Sequence, residues 1–292
     1  MARKPPSMTA LTESAIQRIA SLDPHPQPAL IKLRHPVVFL HGFGFMASFR
    51  RQGHLHNAAM HLREHGVWAY APNVAPYNTV EARCEMWEQR LAHILDETGA
   101  DTITLVAHSM GGLDGRYLIS QQGWHEHVAA LVTVSSPHRG SSIAQFALEQ
   151  PDRLQAWMAN VANWIGTHAI GENTSDARQA VRELTPEHMM QHFNPSVPDH
   201  PEVEYWSYAG RAGKGTDVPI DPFFYMMNNY LYKREGVNDG YVSVRSAKWG
   251  HFQGTVDADH ARQVGIESRL ADSFDARAFY RSVIEDLAAA GY

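Results

Sequence analysis

The chain has 292 residues, of which 44% are hydrophobic and 19% are charged, and its formal net charge is −6. This composition is typical of a soluble globular protein, and the sequence has no basic cluster of the kind that nucleic acids require. The only cysteine, Cys84, excludes an intramolecular disulfide and a cysteine-based zinc site.

No apolar run reaches the roughly 18 residues that a membrane span needs, and the first 28 residues contain no apolar core of a signal peptide. We therefore expect a cytoplasmic protein, or a secreted one from which a signal peptide has been removed. The proline-punctuated beginning predicts a lead-in segment over residues 1–33. The length suits one domain over residues 34–292, and this domain is long enough to contain an insertion.

The following hundred residues alternate between short apolar runs, which predict strands, and amphipathic stretches, which predict helices. The expected strands cover 35–42, 67–73, 101–108 and 127–136, and the expected helices cover 54–66, 79–100 and 111–120. This alternation predicts an α/β fold with a mostly parallel sheet flanked by helices. In such a sheet the functional groups collect at the carboxyl ends of the strands.

From residue 141 to residue 202 the pattern changes to helices and loops. One helical face of this insertion carries five large apolar side chains: Trp157, Met158, Val161, Trp164 and Ile165. Leaving either tryptophan in water would cost roughly 4–6 kcal/mol as an upper bound, so this face must cover apolar surface. We expect a helical cap or lid over a substrate cleft that these residues line, with a fixed cap as the alternative. A strand-like segment at 202–210 and an amphipathic helix near 275–289 follow.

The stretch AHSMG at 107–111 lies where an expected strand turns into an expected helix. A serine hydroxyl becomes a useful nucleophile only beside a base, and a tight strand-to-helix turn accepts only small residues around the serine. This setting predicts that Ser109 is a nucleophile. The alternative is a serine-glycine turn that only caps the helix.

A second stretch, VVFLHGFGF at 37–45, ends an earlier strand in His-Gly. Acyl transfer to a serine needs backbone N–H groups that stabilise the developing oxyanion. Both turns follow the carboxyl ends of expected strands. We therefore expect Phe43 and Met110 to donate the two N–H groups.

The acid and the base of a serine hydrolase of this kind follow the nucleophile in the order Asp, His. Among the eighteen histidines, His260 lies in a loop late in the chain, before the terminal helix. Asp239 lies in an Asn-Asp-Gly turn 21 residues earlier and is the favoured acid. Asp257 and Asp259 remain competitors for that role.

Five segments together resemble the bacterial triacylglycerol lipases of the α/β-hydrolase superfamily: VVFLHGFGF, AHSMGGLDGRYL, VTVSSPHRGSSIAQF, ELTPEHMMQHFN and NDGYVSVRSAKWG. The PHRGS string and the Asn-Asp-Gly turn are the more specific parts. The resemblance implies an α/β-hydrolase fold and an ester hydrolase in which Ser109 is the nucleophile, Asp239 the acid and His260 the base. Phe43 and Met110 would form its oxyanion hole.

The sequence departs from these lipases at two positions. Ala107 stands where they usually carry glycine, and Arg262 stands where they carry an aspartate that binds a structural calcium, two residues after the catalytic histidine. Because a cation at position 262 repels Ca²⁺, we expect no calcium and no other cofactor. His188 and His192 have the spacing of a metal-binding pair, but they lack the glutamate of an H-E-x-x-H motif, so we expect no metal there either.

The sequence therefore favours a serine hydrolase that cleaves carboxylic esters, and among these a lipase that acts on acylglycerols at a lipid–water interface. Two alternatives stay open. One is a carboxylesterase of short, soluble esters on the same fold, and the other is a non-catalytic binding module.

Overall fold

The computed structural model describes residues 28–43, 55–149, 174–266 and 274–292. The chain separates into a unit of residues 1–30 and a unit of residues 31–292. Every element named below belongs to the second unit.

Six strands form one sheet in which all neighbouring strands are parallel. The strands are β1 (Val37–Leu40), β2 (Ala69–Tyr70), β3 (Ile103–His108), β4 (Val128–Val134), β5 (Glu204–Gly210) and β6 (His251–Val256). Their order across the sheet is β2-β1-β3-β4-β5-β6. The predicted α/β fold with a parallel sheet is therefore confirmed.

The helices lie between these strands and after them. Among the described residues, the α-helices of four residues or more are α1 (His56–Glu64), α2 (Val80–Thr98), α3 (Gly111–Gln121), α4 (Ser142–Glu149), α5 (Thr174–Glu183), α6 (Tyr225–Glu235), α7 (Val244–Ala247) and α8 (Ala276–Ala289). As the sequence predicted, α2 ends at Gly99, which takes the left-handed conformation that glycine favours at this position (φ 64°). Its first turn is capped by the Thr79 hydroxyl, which accepts a hydrogen bond from the Ala82 N–H.

The strand β6 was not predicted from the sequence. Exposed residues alternate along it with partly buried ones, and it lies at an edge of the sheet with β5 as its neighbour. A strand in this position does not need the continuous apolar run that marks a strand covered on both faces.

The core lies on both faces of the sheet, because successive side chains of a strand point to opposite faces. In β1, Val38 and Leu40 pack with α2 and α3, whereas Val37 and Phe39 pack with α1 and α8. The described part of the second unit therefore has three layers, with the sheet between two layers of helices. Among the described residues, no helix is long and apolar enough to cross a membrane.

The predicted insertion at 141–202 contains α4, α5 and a helical segment at 186–196 that includes a π-helical turn, Met189–Phe193. The five residues expected to line a cleft lie outside the described residues: Trp157, Met158, Val161, Trp164 and Ile165. The lid stays a prediction.

Candidate active site

Ser109 occupies a sharp turn between the end of β3 and the start of α3. Its φ is +56°, a left-handed value that is rare for a residue with a side chain. Its N–H donates to the Val134 carbonyl at the end of β4 (2.9 Å), so the neighbouring strand supports the turn. A residue other than glycine in this conformation stores roughly 1–3 kcal/mol of strain, and such strain is concentrated at functional sites.

The two glycines after this turn let α3 begin close to the sheet. A Cβ on Gly111 would lie 2.4 Å from the Leu40 carbonyl oxygen, and a Cβ on Gly112 would lie 2.1 Å from the Ser136 Oγ. Neither position has room for a side chain. The small residues that the sequence places after the serine are therefore explained by the close packing of the helix on β1 and β4.

The turn after β1 lies directly against the serine. A Cβ on Gly42 would come within 2.6 Å of the Ser109 Cβ and 3.1 Å of its Oγ. Phe43 follows Gly42, and its ring packs edge-on against Tyr77 (5.3 Å between ring centroids). The structure thus brings the turn that contains Gly42 beside Ser109, which is followed by the buried Met110. The role of Phe43 and Met110 as oxyanion donors stays a prediction.

A buried arginine that the sequence analysis missed supports this turn. The Arg83 Nη2 donates to the His41 carbonyl (2.6 Å), and its Nη1 donates to the Ala75 carbonyl (2.9 Å). Its Nε and Nη2 also donate to the Asp114 Oδ2 (2.9 and 2.7 Å), which accepts a third hydrogen bond from the Trp87 indole (2.9 Å). An arginine on a predicted helix is ordinarily exposed, so no sequence signal marked this ion pair.

Asp239 and His260 form a buried hydrogen-bonded pair. The His260 Nδ1 lies 2.7 Å from the Asp239 Oδ2, and the His260 backbone N–H donates to the Asp239 carbonyl (2.9 Å). The other carboxylate oxygen accepts the N–H groups of Tyr241 (3.0 Å) and Val242 (2.8 Å). This second pair of bonds fixes the carboxylate plane and leaves Oδ2 toward the imidazole.

The electrostatics of this pair favour an ionised carboxylate. Burial by itself raises the pKa of Asp239, but the charge and hydrogen bond of His260 and the two backbone N–H groups outweigh burial and hold that pKa below its usual value. An ionised Asp239 makes the His260 Nδ1 a donor, so the Nε2 is the basic nitrogen of the neutral ring.

The two competing acids bind arginines instead. Asp257 makes an exposed ion pair with Arg211 (Nε to Oδ1, 2.5 Å), and the buried Asp259 accepts from the Arg262 Nε (2.9 Å). Of the three candidates, the structure brings Asp239 to the imidazole.

The His260 ring lies beside the serine turn. Its centroid is 4.5 Å from that of His108, the residue before Ser109, and 5.2 Å from that of Tyr241, which meets it edge-on. Burial, with the neighbouring His260 as a smaller cause, holds the pKa of His108 well below its usual value. His108 is therefore a neutral packing partner of the His260 ring at neutral pH.

Gln263 is a second residue that the sequence analysis did not single out. Its Nε2 donates to the Asp239 Oδ2 (3.0 Å), the same oxygen that binds His260. A Cβ on Gly210 would lie 1.9 Å from that nitrogen, so the end of β5 must be glycine for the glutamine to reach the carboxylate.

The residues near Asp259 do not fit the structural calcium ion that the resemblance to lipases implies. The Asp259 carboxylate already binds a guanidinium, whereas Ca²⁺ requires six to eight oxygen ligands and would be repelled by that cation. The described residues include no group of three or more His, Cys, Asp or Glu side chains arranged for a metal. His188 and His192 are among these described residues, and their ring centroids lie 5.4 Å apart. The absence of a cofactor stays a prediction.

A parallel sheet whose third strand ends in a strained serine turn, with a buried Asp–His pair beside it, defines an α/β hydrolase. The family model of the alpha/beta hydrolase fold matches residues 35–187, slightly more than half of the chain. The chain belongs to this family.

The chain is also similar to named lipases. Triacylglycerol lipase 2 of Saccharomyces cerevisiae is 27% identical over an alignment of 253 residues, and the match covers 79% of this chain and 72% of the yeast protein. The triacylglycerol lipase of Pseudarthrobacter phenanthrenivorans is 30% identical over an alignment of 163 residues, and the match covers 52% of this chain and 50% of the bacterial protein. The chain therefore spans about half the length of that bacterial relative.

Solved structures with the same fold include two further lipases. The mature form of Bacillus licheniformis lipase BlEst2 matches with a TM-score of 0.59 at 23% identity, covering 81% of this chain and 87% of that one. Staphylococcus hyicus lipase matches with a TM-score of 0.65 at 18% identity, covering 91% and 98%. These structures show the fold, and the family and the lipase relatives together support a carboxylic ester hydrolase, as the sequence predicted.

Proposed function

We propose that the protein hydrolyses carboxylic esters through an acyl-enzyme on Ser109, with His260 as general base and Asp239 as the acid of the triad. The observation that carries the proposal is the 2.7 Å hydrogen bond from the His260 imidazole to the buried Asp239 carboxylate, next to a serine held in a strained turn. A serine hydroxyl becomes a nucleophile for acyl transfer when an imidazole takes its proton and a carboxylate holds the imidazole, and these are the roles that we propose for the three residues.

In the first half of the reaction, the Ser109 Oγ attacks the ester carbonyl carbon while the His260 Nε2 takes the hydroxyl proton. The imidazolium then gives this proton to the oxygen of the leaving alcohol. Asp239 stabilises the imidazolium and keeps the Nδ1 as a donor. Proton transfer by a positioned side chain contributes about 10²–10⁴-fold to the rate.

In the second half, His260 takes a proton from water, and the resulting hydroxide attacks the acyl-enzyme carbonyl. The proton returns to the Ser109 Oγ as the carboxylic acid leaves. Both tetrahedral intermediates carry a negative oxygen, which the N–H groups of Phe43 and Met110 stabilise in this proposal. Each such donor contributes about 10²–10³-fold to the rate.

The proposed substrates are acylglycerols. Two features support them: the lipase names of the relatives, and the apolar face of the predicted helical cap, which suits a long acyl chain. The same site chemistry also serves short, soluble esters. An activity series over acyl chain length, measured below and above substrate solubility, separates the two. A rate that rises with chain length and jumps when the substrate forms an interface supports the lipase, whereas a preference for short esters with no jump supports the carboxylesterase.

The nucleophile is tested by covalent labelling with a fluorophosphonate. Ser109→Ala removes the attacking oxygen, so we expect no labelling and a fall in kcat of about 10⁴-fold or more. Ser282→Ala, on the exposed side of α8, is the matched control and is expected to label like wild type. Labelling of the Ser109→Ala protein at the wild-type rate would exclude this serine as the nucleophile. If neither the wild-type protein nor the variants were labelled, the non-catalytic binding module would be favoured.

A further inference from the structure

A buried arginine ties the turn that carries His260 to a distant segment of the chain. Arg262 lies two residues after His260, and its side chain is only 4% exposed. Its Nε donates to the Asp259 Oδ2 (2.9 Å), and its Nη2 donates to the carbonyl oxygen of Pro219, 43 residues earlier. One guanidinium therefore binds both the turn and the Pro219 segment.

Asp259 completes this connection from the other side of the same turn. Its side chain is fully buried, and its Oδ1 accepts the Arg262 backbone N–H (3.0 Å). Its Oδ2 accepts the Asp221 backbone N–H (3.2 Å) in addition to the guanidinium. Ala261, between His260 and Arg262, packs in one apolar cluster with Ile220. The residues on both sides of His260 are thus anchored to positions 219–221.

A carboxylate as buried as Asp259 needs a positive partner, because removal of its charge from water is unfavourable. A guanidinium suits this position because its planar fork of N–H groups can bind a carboxylate and a carbonyl oxygen together. The resemblance to lipases implies a calcium ion beside residue 262, and the residues present do not fit one.

We propose that Arg262 is a positioning residue for His260. Its guanidinium, rather than a bound metal ion, is the cation that holds the His260 turn against the Pro219 segment. Its effect on catalysis depends on the proposed function. The anchoring itself does not, so the two are tested by different measurements.

The catalytic arm compares kcat and KM of wild type, Arg262→Met and Arg262→Lys with a soluble p-nitrophenyl ester. Because the imidazole position governs the chemical step, we expect Arg262→Met to lower kcat at least tenfold with KM within threefold. Arg262→Lys keeps the charge but loses the fork, so it should recover part of kcat. Arg211→Met is the matched control: it breaks the exposed pair with Asp257 in the same turn and should change kcat less than twofold.

The anchoring arm measures hydrogen exchange of the backbone amides of residues 258–264, which requires no turnover. We expect these amides to exchange at least tenfold faster in Arg262→Met, less so in Arg262→Lys, and at the wild-type rate in Arg211→Met. If Arg262→Met does not fold, the lysine variant carries the comparison. Unchanged exchange in both Arg262 variants would overturn the proposal. Faster exchange in a protein whose wild type hydrolyses no ester would uphold the anchor and refute the proposed function.

Whether the His260 turn needs a divalent metal ion is tested on the wild-type protein itself. We expect EDTA, and CaCl₂ added afterwards, to leave both hydrogen exchange of residues 258–264 and ester hydrolysis within twofold of the untreated protein. Faster exchange in EDTA that calcium reverses would show that a divalent ion holds the turn, and would overturn the proposal.

Discussion

Gly42 lies so close to Ser109 that a Cβ on the glycine would come within 2.6 Å of the serine Cβ. The turn after β1 and the serine turn therefore pack backbone to side chain, with no space between them. In the proposed mechanism, this contact sets where the Phe43 N–H lies relative to the serine oxygen. Any side chain at position 42 must move one of the two turns.

Gly42→Ala is expected to lower kcat about 10²–10³-fold, the effect of losing one oxyanion donor. The measurement is kcat for a soluble ester at a temperature well below the melting point. Gly99→Ala is the control, because Gly99 also has a positive φ but a Cβ there would meet open space. It should lower stability by about 1 kcal/mol and leave kcat unchanged. Equal kcat values for the two variants would contradict the proposed role of the Gly42 contact.

Asp239→Asn should lower kcat about 10⁴-fold with little loss of folded structure. The amide has nearly the shape of the carboxylate, but it no longer selects the imidazole tautomer or stabilises the imidazolium. Steady-state kinetics of Asp257→Asn provide the comparison, because that exposed carboxylate pairs with Arg211. Its kcat should stay within about twofold of wild type. If Asp257→Asn were the more damaging change, the acid would have been assigned to the wrong residue.

Arg83→Met should destabilise the protein by about 3–5 kcal/mol, because it leaves the Asp114 carboxylate buried without its cation. Adding Asp114→Leu to this variant removes the uncompensated charge and should restore part of the stability in urea unfolding. The kcat should be lower than that of wild type in both the single and the double variant, because the His41 carbonyl lacks its donor in each. Recovery of the wild-type kcat would show that Arg83 supports the fold and has no part in positioning the oxyanion turn.

Glu183 is expected to make stability depend on pH. Burial is the main cause that raises the pKa of Glu183 to about 7, although its Oε2 accepts the Val80 N–H at the start of α2 (2.8 Å). A carboxyl whose folded pKa exceeds its unfolded value of 4.5 stabilises the fold fully below pH 4.5, and this contribution is lost as pH rises through 7.

Glu183→Gln cannot ionise, so its stability relative to wild type should rise between pH 4.5 and pH 7 and then level off. One pKa unit corresponds to about 1.4 kcal/mol, and with a discount for partial exposure the total change should be about 1–2 kcal/mol. Urea unfolding at several pH values measures it, with the exposed Glu187→Gln as the control. A difference that is the same at every pH would contradict the raised pKa.

The helices and strands of the first half could be predicted because their signals are local. An apolar run that ends in small residues predicts a buried strand followed by a tight turn, whichever strands lie beside it. The strained φ of Ser109 has the same origin, since the turn of AHSMGG follows from a strand and a helix joined by very few residues. The edge strand β6 carries no such signal, because exposed residues alternate along it with partly buried ones and form no continuous apolar run.

Sequence alone determined the fold class, the serine turn and the order in which candidate acid and base follow it, since each depends on short-range patterns or on position along the chain. The sequence favoured Asp239 over Asp257 and Asp259. Tertiary structure decided which of them meets His260, because Asp257 and Asp259 pair with arginines in the folded protein. It also placed Arg83 beside Asp114 and Arg262 beside the Pro219 carbonyl, across 31 and 43 residues. A buried charge chooses its partner by distance and burial in the folded molecule, and neither quantity is encoded in the local sequence.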